Sequence, residues 1–171
     1  MVVVVDAAEP VVGEYRAVLD SAAAKGVPAH VTVLYPFLAP EVIDAAVLAA
    51  VREAVASVPR FEAVLSRVAW FGDEVVYLAP SPPEPLRALT AALWARFPQC
   101  PPYGGVFADV VPHLTVGHNC PRPVLAAAAE AVRSSLPVPF EVSSVRLMAG
   151  SDSPGSWRSL AEFALGSAPV G

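Results

Sequence analysis

The stretch "PAHVTVLYPF", residues 28–37, sets His30 and Thr32 two apart inside what otherwise reads as a buried β-strand. "PHLTVGH", residues 112–118, repeats the arrangement with His113 and Thr115. Successive side chains of a strand point to opposite faces. Val31 and Val33, like Leu114 and Val116, are therefore expected in the core, while each histidine shares the other face with its threonine. The chain has three histidines in all, and its threonines are Thr32, Thr90 and Thr115. Two of each type fall in this one pattern, so a chance match is a poor account. A hydrogen-bonded core histidine beside an ordinary β-forming threonine would explain one such pair. It does not explain why the pair returns at the equivalent place in the second half.

Working outward, the order of elements also returns. "VVVVDAAEPVVGEYRAVLDSAA" reads as a short strand, a proline-marked turn and a helix, and "VVYLAPSPPEPLRALTAALWARF" reads the same way. Each leads into its His-x-Thr strand. After that come a proline and an alanine-rich helix, "APEVIDAAVLAAVREAVASV" and "PRPVLAAAAEAVRSSL". The strands "FEAVLSRVAWF" and "FEVSSVRLMAG" follow, and then the closing strands "EVVYLAP" and "SWRSLAEFAL". The expected fold is α/β (α+β): a bilobal duplicated unit whose two mainly antiparallel sheets flank a central cleft, with helices outside. Residues 1–171 read as one domain of two pseudo-symmetric lobes, approximately 1–80 and 75–171. "VVYLAP" closes one unit and opens the next, so the lobes are expected to exchange edge strands.

The composition fits a soluble globular domain, with 55% hydrophobic and 16% charged residues. A formal net charge of −5 argues against an extended nucleic-acid surface, which rests on Lys and Arg. It leaves room for a small phosphate-bearing ligand or the end of an RNA strand. The opening "MVVVVDAAEP" is too short an apolar run for a leader or a membrane span, and no longer one follows. The expectation is a cytoplasmic protein without membrane attachment, with Cys100 and Cys120 reduced.

If pseudo-twofold symmetry relates the lobes, two imidazoles and two hydroxyls converge across the cleft. That set suits a phosphate ester. One neutral imidazole takes a proton from the attacking oxygen and the other, protonated, gives one to the leaving oxygen. The hydroxyls of Thr32 and Thr115 hold the non-bridging oxygens. The chemistry asks for no metal and no cofactor. His113, His118 and Cys120 do not have the spacing of a usual zinc set. "YGGVF" lacks the lysine and following helix of a nucleotide-binding loop, so ATP dependence is not expected.

At these residues the sequence resembles the two-histidine (2H) phosphoesterase superfamily, and most closely its bacterial 2′-5′ RNA ligase members. The resemblance covers nearly the whole chain, including "GVPAHVTVLYPF", "PPYGGVFADVVPHLTV" and "GSWRSLAEFALG". It implies metal-free chemistry on cyclic phosphates or 2′,5′-phosphodiesters, with His30 and His113 as the acid–base pair and Thr32 and Thr115 as phosphate ligands. The substrate so implied is a 2′,3′-cyclic phosphate on a nucleotide or RNA end. The alternatives are 2′-5′ RNA ligation, or binding of a cyclic nucleotide or phosphorylated metabolite without turnover. Where many RNA-directed members carry an arginine after the second motif, this chain has Gly117-His118.

Five other residues complete the reading. Tyr103 in "PPYGGVF" either stacks on a base or covers the core from a tight turn. Tyr35 has the core parity of Val31 and Val33 and is expected to pack inward. His118, five residues after His113, is expected on the opposite face of a continuing strand. Trp157 and Arg158 either border the cleft, by stacking and by pairing with phosphate, or are plain strand residues.

Overall fold

The computed structural model describes residues 1–107 and 109–167. The chain opens with β1 (Val2–Val4), α1 (Glu9–Leu19), the single turn α2 (Ser21–Ala24) and β2 (His30–Thr32). It continues through α3 (Ala45–Ala56), β3 (Phe61–Phe71), β4 (Val75–Ser81), α4 (Glu84–Arg96) and β5 (Leu114–His118). It closes with α5 (Arg122–Arg133), β6 (Val138–Val142), β7 (Ser144–Ala149) and β8 (Arg158–Ala164). Local chemistry marks several boundaries. Asp20 caps α2 by accepting the Ala22 N–H at 2.9 Å. Asp44 does the same for α3 through the Val47 N–H at 2.8 Å. The proline expected to start α3 instead opens a short 3₁₀ turn, Pro40–Val42, ahead of that cap.

Two four-stranded sheets result, ordered β2-β1-β7-β8 and β5-β4-β3-β6, and every neighbouring pair is antiparallel. They flank a cleft with the helices packed outside, as the duplicated pattern implied. The first sheet draws β1 and β2 from the start of the chain and β7 and β8 from its end, while β3 to β6 form the second. "FEVSSVRLMAG", which reads as one strand, is two: β6 pairs with β3, and β7 pairs with β1 and β8. The break is at Ser143, whose carbonyl accepts the Leu165 N–H at 2.9 Å, so the chain passes from one sheet to the other there. Period-two alternation runs unbroken through such a switch, which is why the sequence hides it.

The helix-side faces merge into one core. Val3, Val31, Val145, Leu147 and Phe163 come from the first sheet, Leu65, Leu78, Leu114 and Val116 from the second, and Val12, Val51, Leu89 and Leu125 from the helices. α1 and α5 pack on β5, and α3 packs on β8 and α4. Gly117 is where α1 and α5 press closest to the second motif strand. A Cβ there would stand 2.7 Å from the Leu19 Cβ and 3.0 Å from the Leu125 Cδ2. Gly117→Ala is therefore expected to cost about 1–3 kcal/mol through overpacking, read by urea unfolding. An unchanged midpoint would mean the helices have room to retreat.

Candidate active site

β2 and β5, which carry the two motifs, are each the edge strand of their sheet and lie against one another. The alternation holds through both motifs: Val31 is 1% exposed and Leu114 is fully buried, while His30, Thr32, His113 and Thr115 are half-buried. The two rings are held alike. His30 Nδ1 lies 2.8 Å from the Pro28 carbonyl oxygen, and His113 Nδ1 lies 2.8 Å from that of Val111. A carbonyl only accepts, so Nδ1 carries the hydrogen on both rings and the neutral form leaves the Nε2 lone pair free. Both therefore keep Nε2 as the nitrogen for exchanging a proton with a ligand.

Burial dominates their electrostatics. It pushes His30 down to about 4, outweighing the carbonyl bond that favours the charged ring, and the nearby Arg16 guanidinium adds to the depression. His113 is also lowered by burial, against the opposing bond to Val111. Its ring sits among aromatics, with Phe71 edge-on at 5.0 Å, Tyr77 at 5.5 Å and Tyr103 stacked at 6.4 Å between centroids.

Tyr103 joins the two motifs. Beyond its stacking on His113, its phenol lies near the Thr32 side chain, and its N–H donates to the Tyr35 carbonyl at 2.6 Å. It adopts φ 51°, in the left-handed region that a bulky residue enters only when held, and Gly104 and Gly105 continue the turn at 66° and 77°. Thr32 and His113, from different sheets, are thus spanned by one tyrosine side chain. A cavity of about 750 Å³ opens from the His113 side, lined by Phe71, Tyr103 and Phe107 together with Thr115 and His118. That volume is of the size a nucleoside needs.

Two expectations fail for one reason. Val33 and Leu34 both donate to the Met1 carbonyl, at 3.0 and 3.2 Å, and both are buried. In β5 the register skips Val116, since Val76 faces Gly117 while Tyr77 faces Thr115. Each motif strand thus carries one extra residue directly after its threonine, a bulge that shifts the alternation by one. Tyr35 accordingly leaves the core and is 52% exposed, with its ring 6.5 Å from Trp157. His118 returns to the face of His113 and Thr115 and lines the same cavity. It accepts the Ser21 N–H at Nε2 (3.3 Å), and that nitrogen lies 3.4 Å from the buried Asp20 carboxylate. Trp157 is half-buried and donates to the Ser151 carbonyl at 2.9 Å, while Arg158 is exposed at the start of β8. Phe71 and Tyr77 were missed from sequence. Tyr77 was legible, because it stands between the buried Val76 and Leu78 on a strand and so faces the cleft side.

Among the described residues no group of three or more His, Cys, Asp or Glu could hold a metal ion, and no helix is long and apolar enough to cross a membrane. Cys100 and Cys120 are free thiols.

A bilobal fold with a His-Thr pair on each of two abutting strands defines a class, the two-histidine phosphoesterases. The model of the 2′-5′ RNA ligase superfamily matches residues 4–154, and the chain belongs to that family. It is thereby an enzyme of phosphoric ester chemistry. Among solved structures it is similar to one described as a phosphoesterase, at 23% identity and TM-score 0.58 over 97% of this chain and 96% of the other. It is also similar to E. coli LigT complexed with 3′-AMP, at 22% identity and TM-score 0.57 over 96% and 95%. TT0787 of Thermus thermophilus aligns at 18% identity and TM-score 0.66 over 97% and 96%. These three likenesses establish the fold. No curated protein matches the sequence at a significant level.

The depressed histidines make stability depend on pH. Between pH 6.5 and about 4 the unfolded chain takes up a proton at His30 that the folded chain refuses, so stability falls as pH falls through that window. His30→Asn is expected to flatten the slope of melting temperature against pH there. An equally steep slope in the variant would assign the acid sensitivity elsewhere.

Proposed function

We propose that the protein hydrolyses 2′,3′-cyclic phosphates of nucleotides or RNA ends, without a metal, using His30 and His113 as paired acid and base. The observation that carries this reading is the matched geometry of the two rings. Each is fixed by an Nδ1–H bond to the carbonyl two residues earlier, and each sits beside its threonine on one of two abutting strands. A cyclic phosphate between them meets a base on one side and an acid on the other. Water attacks phosphorus as one Nε2 takes its proton. The bond to one ring oxygen breaks, and that oxygen receives the proton held on the other Nε2, leaving a phosphomonoester. Thr32 and Thr115 donate to the non-bridging oxygens. The aromatic cavity takes the nucleoside by stacking on Phe71, Tyr103 or Phe107.

Ligation of 2′-5′ RNA has the family's own description in its favour. Against it stands the formal net charge of −5, which weakens binding of a polyanionic strand. The cavity wall adds little to that, since its Asp73 and Asp109 are paired with Arg122 at 3.0 Å and Arg87 at 3.5 Å.

Turnover of a panel of 2′,3′-cyclic nucleotides should be unaffected by EDTA and should fall at least about 100-fold in His30→Ala and in His113→Ala. Activity surviving either change removes that histidine from the mechanism, and binding without turnover by the unmutated protein makes it a sensor. The active free enzyme holds one proton between two rings that both titrate below the usual 6.5. The profile of kcat/KM is therefore expected to be a bell with its maximum on the acid side of pH 6.5. A flat profile, or a maximum above about pH 7.5, counts against paired imidazoles.

A further inference from the structure

The carbonyls that hold the two catalytic rings belong to unlike peptide units. His30 Nδ1 lies against the Pro28 carbonyl, and the amide of that unit is the N–H of Ala29. His113 Nδ1 lies against the Val111 carbonyl, and the amide of that unit is the nitrogen of Pro112, which carries no hydrogen. The Pro28–Ala29 peptide is trans and planar, so its C=O and N–H point in opposite directions. Whatever grips the Ala29 N–H therefore aims the Pro28 carbonyl at His30. The second motif offers no such handle.

The grip comes from α1. Glu9, the first residue of that helix, accepts the Ala29 N–H at its carboxylate. Arg16 donates from Nη2 to the Val27 carbonyl at 3.1 Å, so the peptide unit before Pro28 is held as well. About two helical turns separate Glu9 from Arg16, and one face of α1 thus presents both to the same loop. Arg16 is fixed in turn by Asp20, whose carboxylate accepts from Nε at 3.0 Å, and its guanidinium lies 3.7 Å from Glu9. Arg16 is 2% exposed and Asp20 4%. Apolar side chains of similar volume would stabilise so buried a place at least as well, but they would not hold the Val27 carbonyl. In the second lobe α4 also opens on Glu-Pro, at Glu84, yet two turns further on it has Ala91. Among the described residues, α4 approaches the second motif through the exposed pair of Arg87 with Asp109, two residues before Val111.

We propose that Glu9 and Arg16 are positioning residues for His30. They fix the peptide units on either side of Pro28, and the carbonyl so aimed keeps the hydrogen on Nδ1 and leaves Nε2 to the ligand. What Nε2 then does to the ligand rests on the phosphoesterase reading above. His113 takes the same tautomer from a carbonyl whose peptide unit has no N–H to hold, so it is a control within the same molecule.

The test reads the ring tautomers from long-range proton–nitrogen correlation spectra of the imidazoles in the full chain at neutral pH. The unmutated protein is expected to show His30 and His113 both protonated at Nδ1. Glu9→Ala, at a side chain 40% exposed, should turn the His30 signals into a mixture of the two neutral forms and leave those of His113 in place. Glu9→Gln keeps an oxygen for the Ala29 N–H and should restore the His30 pattern, a rescue that loss of the charge alone would not allow. Arg16→Lys keeps the charge beside Asp20 but gives up the fork that also reaches Val27, and should move the same His30 signals. Turnover of 2′,3′-cyclic nucleotides should fall at least about tenfold in kcat in Glu9→Ala with KM within about twofold, because the ring is misaimed while the ligand's contacts stay. His30 signals unmoved in Glu9→Ala or in Arg16→Lys, His113 signals moving equally, no rescue by Glu9→Gln, or an unchanged kcat where turnover is present overturns the proposal. Absence of any turnover by the unmutated protein defeats the hydrolase reading alone, and the ring signals still decide the roles of Glu9 and Arg16.

Discussion

An unpaired sheet edge exposes a row of backbone donors and acceptors, and this protein sets two of them face to face. β2 and β5 are the edges of separate sheets, they abut, and the catalytic candidates stand on both. Tyr103 spans the seam. Its N–H satisfies the Tyr35 carbonyl just beyond β2, its phenol lies near Thr32, and its ring stacks at 6.4 Å from that of His113. One residue held at positive φ thus ties the two sheets together.

The two bulges explain much of what surrounds the seam. Each motif strand inserts one residue straight after its threonine, so two consecutive side chains turn inward and the next turns back to the cleft. Leu34 and Gly117 take the second inward place, and both are buried. In the second lobe that place is squeezed between Leu19 and Leu125, and only glycine fits it. Tyr35 and His118 are the residues returned to the cleft side. One is an exposed aromatic beside Trp157, and the other is a half-buried imidazole tied to Ser21 near Asp20. Matching backbone with different side chains makes the lobes alike in how they hold their His-Thr pairs and unlike in the residue that follows.

Burial dominates the electrostatics of both motifs. It disfavours the charged form of His30 and of His113, so both imidazoles are neutral near pH 7. Carboxylates stand in both lobes: Asp6, Glu141 and Glu162 line the small cavity beside Arg146, and Asp73, Glu74 and Asp109 line the aromatic one.

The repeated His-x-Thr pairs, their burial parity and the doubled order of elements were all legible by eye, because period-two alternation and helical spacing are local properties of the chain. Those features determined the fold class, the family and the four central site residues as expectations before any coordinates. The switch at Ser143, the faces of Tyr35 and His118, and the aromatic cage of Phe71 and Tyr77 were decided only by tertiary structure. Each depends on which strands pair and where one residue is looped out. Pairing joins segments more than a hundred residues apart, as Val2 with Arg146, and no local pattern in either segment encodes its partner.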